Sequence, residues 1–419
     1  MNYDVNLVRE NFPGLKRMKG GQAVAFLDNP AGTQIAKSVV DRMTDTMVHK
    51  NANLGGFFGT SLEARSAVDA AHRAAEIFVN ARHEGEVFFG QSMTNLTFAM
   101  SRSIGTTLKE GDEIVLTRMD HDANVAPWLM IAEDRGLKVR WLDFSPDTFE
   151  FNLSDLNQLL NERTKVVAVN YASNVTGTIN NVAEIARLAH KVGALVYVDA
   201  VQFAPHGLID VQALDCDFLV CSAYKFFGPH YALIWGRKEH LKTLRAYKVR
   251  AASEDLPWRF TNGTTNREEV TGVHAAIDYI AGLGKVFGGG PSNANLRARL
   301  AAGFEVMKVH DNMLAGRLIE GLKHSNRVRI HGITDHKKFD NRVSTVTFSV
   351  DGKHPDEVAK FMADRGLQVW SGHNYGLEPN QRLGILESGG GVRVGPVHYN
   401  TVEEIDRVVD SVDQFLRAN

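Results

Sequence analysis

Two ionisable side chains follow apolar runs of the sequence. Asp199 lies near the end of the run Leu195–Ala200, and Lys225 follows the run Asp217–Ser222. If these runs are neighbouring parallel strands, both residues lie at the sheet edge where α/β proteins bind ligands. A lysine amine that can form a Schiff base, beside a carboxylate that can keep a pyridine nitrogen protonated, is what pyridoxal 5'-phosphate (PLP) chemistry requires. Each residue alone also fits a solvated loop charge or a cap, so only the pair predicts this chemistry.

A histidine and a group of small hydroxyl residues could complete such a site. His121 follows the apolar run Glu113–Met119, and an imidazole there can stack on a flat cofactor and move protons. Gly90, Ser92 and Thr94 come just before an apolar helical run. Hydroxyls at a helix start satisfy its free N–H groups, and that end of a helix attracts phosphate. An incidental loop histidine and plain N-capping are the alternatives.

Strand-like and helix-like runs alternate through the middle of the chain, which is typical of an α/β layered domain. Runs that are almost entirely apolar indicate strands buried on both faces of a mainly parallel sheet. Residues 182–192 are predicted to form one of the intervening amphipathic helices. The predicted strands are Glu113–Met119, Lys138–Phe144, Lys165–Ala172, Leu195–Ala200, Asp217–Ser222 and Ala232–Gly236.

The character of the sequence changes at the glycine-rich break GGGPSN. A long helical pattern over Ala294–His324 follows, then short β-rich runs at Arg327–His331 and Arg342–Val350, and a final helix over Thr401–Ala418. Turn-rich segments are candidate site loops because loops carry most chemistry: GGQAVAFLDNPAG, NLGGFFG, FTNGTTN and WSGHNYGLEPNQ. We expect an N-terminal segment at residues 1–20 that packs on the small domain, a large PLP-binding domain at residues 21–290, and a small C-terminal domain at residues 291–419.

Composition and charge exclude several kinds of partner. The 47 basic and 49 acidic side chains nearly cancel without long runs of one sign, so we expect no binding to nucleic acid or to membrane surfaces. The first residues lack the apolar stretch of a signal peptide, and no run of about 18 apolar residues could form a membrane helix. Cys216 and Cys221 are five residues apart, which would send strand side chains to opposite faces and prevent pairing. A reducing, cytoplasmic compartment is expected.

The sequence resembles the class V aminotransferase family, and most closely its SUF-type cysteine desulfurase branch. The resemblance runs from FLDNPAG near the start to RVGPVHYNTVEEIDR near the end. Its most specific motifs are IDVQALDCDFLVCSAYKFFGP, and NYASNVTGTIN followed by VYVDAVQ. The resemblance implies the PLP-dependent transferase fold type I, an α/β fold with a large domain of mainly parallel sheet and a smaller α+β C-terminal domain. It also implies a homodimer that acts on a small-molecule amino acid, with each site completed by the partner subunit.

The resemblance also implies roles for the matching residues. Lys225 would form the Schiff base, Asp199 would pair with the pyridine nitrogen, and His121 would stack on the ring, and these three are the expected catalytic residues. Arg393 would clamp the substrate carboxylate, for which a guanidinium fork is a strong orienting group; a surface arginine is the alternative. The further cofactor contacts expected are Thr94, Asn174, Gln202, Ser222, Tyr224 and, from the other subunit, Thr264. The expected substrate contacts are Arg393, Asn174 and Tyr375, and no metal is expected.

The sequence departs from the family pattern at the position of the nucleophilic cysteine. In WSGHNYG, Tyr375 stands where SUF-type desulfurases carry that cysteine, and Trp370 replaces a basic residue. Tyrosine cannot accept sulfur as a persulfide, and no cysteine follows Cys221. Cys216 and Cys221 are expected to be inert core thiols. The usual sulfur-transfer mechanism is therefore not expected.

Three aromatic residues mark further departures. Tyr224 stands where the family has a histidine, and its hydroxyl could donate in place of the imidazole. Phe57 and Phe58 replace a basic, histidine-bearing loop, either as an apolar entrance to the site or as packed core side chains. With Trp370 and Tyr375, they indicate a side-chain pocket more apolar than cysteine needs.

The leading functional hypothesis is carbon–sulfur, or related Cβ–X, lyase chemistry on a cysteine-like amino acid. Such β-elimination needs the lysine, the cofactor and the carboxylate clamp, but no thiol nucleophile. Transamination or epimerisation at the α-carbon is the alternative within the same family. A non-catalytic partner of a sulfur-assembly system is the alternative from a different class, and the presence of Lys225, Asp199, His121 and Arg393 disfavours it.

Overall fold

The helices account for much of the chain in this computed structural model, which describes residues 3–291 and 293–418. None of the helices in these residues is long and apolar enough to cross a lipid bilayer. The α-helices are α1 (Val5–Arg9), α2 (Lys37–His49), α3 (Gly59–Val79), α4 (Met93–Gly105), α5 (Ala126–Arg135), α6 (Leu153–Leu159), α7 (Val182–His190), α8 (Val211–Leu214), α9 (Lys238–Thr243), α10 (Arg267–Phe287), α11 (Leu296–Leu322), α12 (Pro355–Asp364), α13 (Leu377–Arg382) and α14 (Val402–Ala418).

The strands form a large central sheet, a smaller C-terminal sheet and two short pairs. They are β1 (Met18–Lys19), β2 (Gln22–Ala23), β3 (Ala25–Phe26), β4 (Val87–Gly90), β5 (Glu113–Thr117), β6 (Lys138–Leu142), β7 (Thr164–Asn170), β8 (Leu195–Asp199), β9 (Phe218–Ser222), β10 (Ala232–Gly236), β11 (Val328–Ile330), β12 (Val346–Val350), β13 (Leu367–Gln368), β14 (Trp370–Gly372) and β15 (Gly391–Val394).

The central sheet has seven strands in the order β4-β10-β9-β8-β7-β5-β6, and it is mainly parallel, as predicted. Only β10 runs antiparallel to its neighbours β4 and β9. Val196 and Val198 of β8 pack in one hydrophobic cluster with side chains of α3, α7 and α10, whereas Tyr197 packs on the opposite face with α4 and α5. This period-2 alternation of apolar side chains buries both faces and produces a helix–sheet–helix sandwich.

Most predicted strands are present within two residues of their predicted ends. The exception is the run Arg342–Val350, of which only Val346–Val350 forms a ladder strand. Arg342 instead forms an isolated bridge with Thr178. Its buried guanidinium donates to the carbonyls of Ile333, Val343 and Thr345. Satisfying a buried cation in this way holds the preceding backbone out of the sheet.

The C-terminal sheet has the order β11-β12-β15-β14, and all its pairings are antiparallel. The N-terminal part of the chain packs beside this sheet: β3 pairs in parallel with β13 in a separate two-stranded sheet, and Asp28 forms an isolated bridge with Gly395, directly after β15. Ala25 and Leu27 belong to the hydrophobic cluster of the C-terminal sheet. The division of the chain at residues 20 and 290 stays a prediction.

The carboxylate of Asp217 connects the start of β9 to helices on either side. Its side chain accepts from His190 (2.9 Å), His240 (2.9 Å) and the backbone N–H of Val196 (2.7 Å). Burial opposes its ionisation, but these hydrogen bonds outweigh burial and hold the pKa of Asp217 below its ordinary value. Asp217 therefore stabilises the fold above that ordinary pKa, and the contribution is lost as the pH falls through the lowered value.

Replacing Asp217 by Asn should lower the free energy of unfolding at pH 7 by about 3 kcal/mol, because buried donors lose their charged acceptor. Urea unfolding measures this free energy. The difference in unfolding free energy between the variant and the wild type should decrease as the pH falls below 3.8. Asp215→Asn is the matched control, since this exposed neighbour should contribute less than about 1 kcal/mol. Equal losses in the two variants would contradict this account.

Candidate active site

The carboxyl ends of β8 and β9 bring the two central residues together. These strands are parallel neighbours in which Asp199 is paired with Val220. β8 ends at Asp199, and β9 is followed by a short 3-10 turn, Ala223–Lys225. Both ionisable side chains are buried. The structure therefore places Lys225 and Asp199 at one sheet edge, as the sequence predicted.

The Lys225 amine is buried, and it donates a hydrogen bond to the carbonyl of Pro30. Its Nζ atom is 4.8 Å from the centre of the Tyr224 ring. Burial and the positive charge of Arg393 lower the pKa of Lys225 to about 7, against the opposing charges of Asp199 and Asp28. A substantial fraction of the amine is therefore unprotonated at neutral pH, as a nucleophile or base requires.

Asp199 is held by the backbone at the end of β8. Its Oδ1 accepts from the N–H of Val201 at 2.9 Å. Burial raises the pKa of Asp199 to about 6, although that hydrogen bond and the charge of Lys225 oppose the shift. A buried carboxylate in this condition favours a positively charged partner, and a protonated pyridine nitrogen is such a group.

His121 lies just after β5, and its imidazole is half-buried and neutral. Burial, with the positive charges of Lys225 and Arg393, lowers its pKa to about 3. Its Nδ1 accepts from the backbone N–H of Ala123 at 3.0 Å, which leaves the proton on Nε2. The ring of Tyr375 stacks on it with 5.6 Å between centres and 26° between planes. The sequence did not predict that contact.

Asp120 fixes the turn that presents His121, and the sequence analysis did not identify it. Its carboxyl accepts from the hydroxyl of Thr117 and from the amide of Asn124, the latter at 2.7 Å. Burial raises its pKa to about 8, against these hydrogen bonds, and the charge of Asp199 adds to the rise. The only signal in the sequence was its position directly after an apolar strand.

Arg393 reaches the same place from the small sheet. Its side chain is buried on β15, and Nη1 donates to the carbonyl of Asn174 at 3.2 Å. Nε has no hydrogen-bond partner among the described residues. Burial lowers the pKa of Arg393 to about 10, so it stays cationic at neutral pH. An incompletely satisfied guanidinium beside a reactive amine suits a carboxylate ligand.

The start of α4 provides a second anion-binding feature near this edge. Ser92 caps the helix by accepting from the N–H of Asn95 at 3.1 Å. The hydroxyl of Thr94 has only a weak contact with the sulfur of Met93, at 3.6 Å. Ser222 Oγ is buried and has no hydrogen-bond partner among the described residues. Helix N–H groups with two available hydroxyls are suited to a phosphate.

The remaining predicted cofactor contacts have different surroundings. Gln202 is buried, and its amide donates to the hydroxyl of Thr345 at 2.8 Å. The ring of Tyr224 is stacked on that of His230, with 5.0 Å between centres and 13° between planes. Thr264 lines a separate cavity of about 310 Å³ together with Gln91, and neither Lys225 nor Ser222 lines it. Within one chain, Thr264 is therefore not brought to the lysine.

Asp28 is a further ionisable residue at the site. It belongs to FLDNPAG, part of a segment predicted as a site loop, but no pattern in the sequence singled out this residue. Its Oδ1 is buried without a hydrogen-bond partner among the described residues. Burial raises its pKa, while the charges of Arg393 and Lys225 act in the opposite direction. Asp28 thus partly compensates two neighbouring cations.

Both cysteines are buried and unpaired, as expected. The predicted reason was wrong, because Cys216 precedes β9 and the alternation of a strand does not apply to it. Cys216 and Cys221 in fact pack in the same hydrophobic cluster. Burial raises the pKa of both thiols above the ordinary range, which keeps them protonated.

The aromatic side chains that depart from the family pattern in the two predicted site loops are exposed in the single chain. Phe57 is 99% exposed and Phe58 58% exposed, so core packing within the chain is excluded for both. Tyr375 is 68% exposed and Trp370 50% exposed.

Comparison with known proteins agrees with this geometry. The family model for class-V aminotransferases matches residues 25–287 and 281–408. The chain belongs to the class-V aminotransferase family. It is 30% identical to a cysteine desulfurase from Dickeya dadantii, over 99% of this chain and 98% of that protein. It is also 30% identical to an aminotransferase-like protein from Gibberella zeae, over 99% of each.

A solved structure of a cysteine desulfurase from Thermococcus onnurineus NA1 superposes with a TM-score of 0.87 at 26% identity. The match covers 100% of this chain and 99% of that one. The predicted fold type I of PLP-dependent enzymes is thereby confirmed.

This member of the class-V aminotransferase family is a PLP-dependent enzyme, and its site suits that cofactor. Ser222 Oγ and Asn174 Oδ1 are buried polar atoms without partners in the described residues, and a bound cofactor would supply such partners. Lys225 provides an amine with a lowered pKa, and the buried carboxylate of Asp199 favours a cationic partner. The start of α4 favours a phosphate. These features together match the amine-reactive, basic and anionic groups of PLP.

The low pKa of Lys225 should depend on the charge of Arg393. In the apoprotein, the rate at which trinitrobenzenesulfonate modifies Lys225, read on its peptide by mass spectrometry, should rise with a midpoint near pH 7. Arg393→Gln should move this midpoint up by about one unit, because a neighbouring cation has been removed. Arg393→Lys, which keeps the charge, should leave it nearly unchanged. A wild-type midpoint near the ordinary 10.5 would contradict the account.

Proposed function

We propose that this enzyme cleaves a carbon–sulfur, or related Cβ–X, bond of an amino acid by β-elimination. The observation that carries the proposal is Tyr375, which stacks on His121 at the position of the sulfur-accepting cysteine in SUF-type desulfurases. The two thiols of the chain are buried with raised pKa values. β-Elimination needs a base, a carboxylate clamp and an electron sink, but no thiol.

The residues divide this work among them. Arg393 binds the substrate carboxylate, and Asn174, whose carbonyl accepts from Arg393 at 3.2 Å, helps to orient it. Bound PLP supplies the electron sink for charge left at the α-carbon. Lys225, with a pKa of about 7, removes the α-proton at neutral pH. The Cβ–X bond breaks with its electron pair on X, and the 2-aminoacrylate released reacts with water to give pyruvate and ammonia.

The other contacts hold the cofactor in the geometry that this reaction needs. Asp199 would pair with the pyridine nitrogen of bound PLP, and the neutral ring of His121 would stack on the cofactor. Thr94 and Ser222 would bind the phosphate, since their hydroxyls lack strong partners in the described residues. Gln202 and Tyr224 complete the set, the former through its carbonyl oxygen because its amide donates to Thr345.

A specific observation keeps α-carbon chemistry as the second candidate. Lys225 is poised to take and return an α-proton whatever the leaving group, and the relative from Gibberella zeae is named aminotransferase-like. Conversion of the cofactor to its amine form by an amino donor alone would identify transamination. Deuterium exchange at the α-carbon without net turnover would identify epimerisation. A purely non-catalytic role is not proposed, because the chain is a PLP-dependent enzyme.

We propose that the chain works as a homodimer in the cytoplasm. Large exposed apolar side chains on α2 and around the start of α3 support an interface: Val40, Met47, Val48, Phe57, Phe58 and Leu62. Thr264, which does not reach Lys225 in one chain, would bind the phosphate of the partner's cofactor.

The two unpaired thiols support a reducing compartment.

Incubation of the holoenzyme with cysteine, cystine and S-substituted cysteines should release pyruvate and ammonia in equal amounts from at least one of them. Lactate dehydrogenase coupling measures the pyruvate. Lys225→Ala should lower the rate by about 10²–10⁴-fold, because the base is removed. Formation of alanine instead of pyruvate, or no pyruvate from any of these compounds, would sink the proposal.

The double variant Cys216→Ala with Cys221→Ala separates elimination from sulfur transfer through a thiol. It should keep pyruvate release within about threefold of the wild type, since neither buried thiol has a role in elimination. A loss comparable to that of Lys225→Ala, in a variant that retains bound cofactor, would show that a thiol is required.

A further inference from the structure

The register of the small sheet places an aromatic side chain beside the carboxylate clamp. Trp370 on β14 is directly opposite Arg393 on β15 in an antiparallel pair. Directly opposed residues project to the same face with Cβ atoms about 5 Å apart. Thr347 is opposite Arg393 on the other side, and its hydroxyl donates to the carbonyl of Val175 at 2.7 Å. This face is therefore turned towards the large-domain loop that carries Asn174.

A second aromatic side chain is fixed beside His121. The side-chain amide of Asn174 donates to the backbone carbonyl of Asn374 at 2.9 Å. The backbone N–H of Asp122 donates to the backbone carbonyl of Tyr375 at 2.8 Å. The loop is thus connected to the neighbours of both the clamp and the imidazole. These hydrogen bonds therefore hold the loop in a defined conformation.

The backbone of this loop is strained, which supports a functional role. Asn374 and Tyr375 have φ values of 52° and 55°, in the left-handed region that non-glycine residues rarely adopt. A bulky residue in this region costs free energy, and such strain is concentrated at functional sites. The N–H of Tyr375 donates to His373 Nδ1 at 3.1 Å, which helps to hold the conformation. The strain sets the direction in which the Tyr375 ring leaves the backbone.

The two rings border the two groups between which a substrate must lie. Trp370 flanks Arg393, which would hold the carboxylate, and Tyr375 stacks on His121, which would cover the cofactor face. Both keep half or more of their surface exposed, so a ligand can reach Trp370 and the side of Tyr375 that does not face His121 in this chain. Neither provides a charge that could recognise an ionised side chain. Aromatic faces instead favour apolar and aromatic groups.

We infer that Trp370 and Tyr375 select an amino acid whose side chain carries an aromatic or large apolar group. This inference rests on the proposed function, in which it identifies the substrate class as cysteines bearing such a group on sulfur. Cysteine itself, with a small polar thiol, would leave both rings without a partner.

Binding of non-reactive amino acids tests selectivity without requiring elimination. The visible absorbance of the bound cofactor in the holoenzyme, titrated with L-phenylalanine and L-alanine, gives a dissociation constant for each. Phenylalanine should bind at least about tenfold more tightly, as one good aromatic contact implies. Trp370→Ala and Tyr375→Ala should each reduce this preference to within about threefold. Equal affinities in the wild type, or an unchanged preference in both variants, would overturn the inference.

Conservative and neighbouring substitutions provide the controls. Trp370→Phe and Tyr375→Phe keep an aromatic face and should keep most of the preference. Leu377→Ala removes an exposed apolar side chain two residues beyond Tyr375 and should leave it unchanged. A loss of preference in Leu377→Ala equal to that in Tyr375→Ala would point to a general disturbance of the loop and overturn the specific role.

The reaction itself separates this inference from the proposed function. If S-benzyl-cysteine yields pyruvate with a higher kcat/KM than S-methyl-cysteine, both stand. If neither compound yields pyruvate but phenylalanine is still preferred in binding, elimination fails while the selectivity holds. If S-methyl-cysteine is the better substrate and alanine binds as tightly as phenylalanine, the selectivity fails while elimination holds.

Discussion

The burial of two cations close together is the constraint on which the rest of this site depends. Lys225 and Arg393 are both buried, and the charge of each acts against protonation of other basic groups around them. Isolated buried charges are costly, so the fold must compensate them. Asp199 and Asp28 do so only in part, which leaves the lysine amine reactive and the guanidinium open to an anion. The same incomplete compensation favours the binding of an anionic group beside Lys225 and Arg393.

One segment near the N-terminus connects the two halves of this arrangement. The amide of Asn29 donates to the carbonyl of Gly395 at 2.6 Å, just beyond Arg393. The hydroxyl of Thr33 donates to the carbonyl of Tyr224 at 3.1 Å, just before Lys225. Between them, the carbonyl of Pro30 accepts from the lysine itself. The segment therefore sets the position of the clamp relative to the amine, although it lies nearly 200 residues before the lysine.

The sequence was sufficient for six of the seven strands of the central sheet and for the pair at its edge, because both depend on local patterns, but it did not predict β4. Short, mostly apolar runs located β5 to β10, and Lys225 and Asp199 followed from the ends of two of them. What could not be predicted depends on long-range contacts. Three contacts join distant parts of the chain. Asp28 interacts with the charges of Lys225 and Arg393. The ring of Tyr375 stacks on His121, and Trp370 is paired with Arg393. Local periodicity carries no information about such contacts, and this also explains the shortened strand after Arg342.

The identity of the residue that holds the cofactor is the claim on which the account most directly depends. Borohydride reduction of the holoenzyme, followed by proteolysis and mass spectrometry, measures it by the attachment of a pyridoxyl group to a lysine side chain. We predict the modification on the peptide that contains Lys225, in about one copy per chain, as expected for a single Schiff-base lysine. Modification of a different lysine, or a protein that retains its cofactor through reduction without any pyridoxyl lysine, would contradict the account.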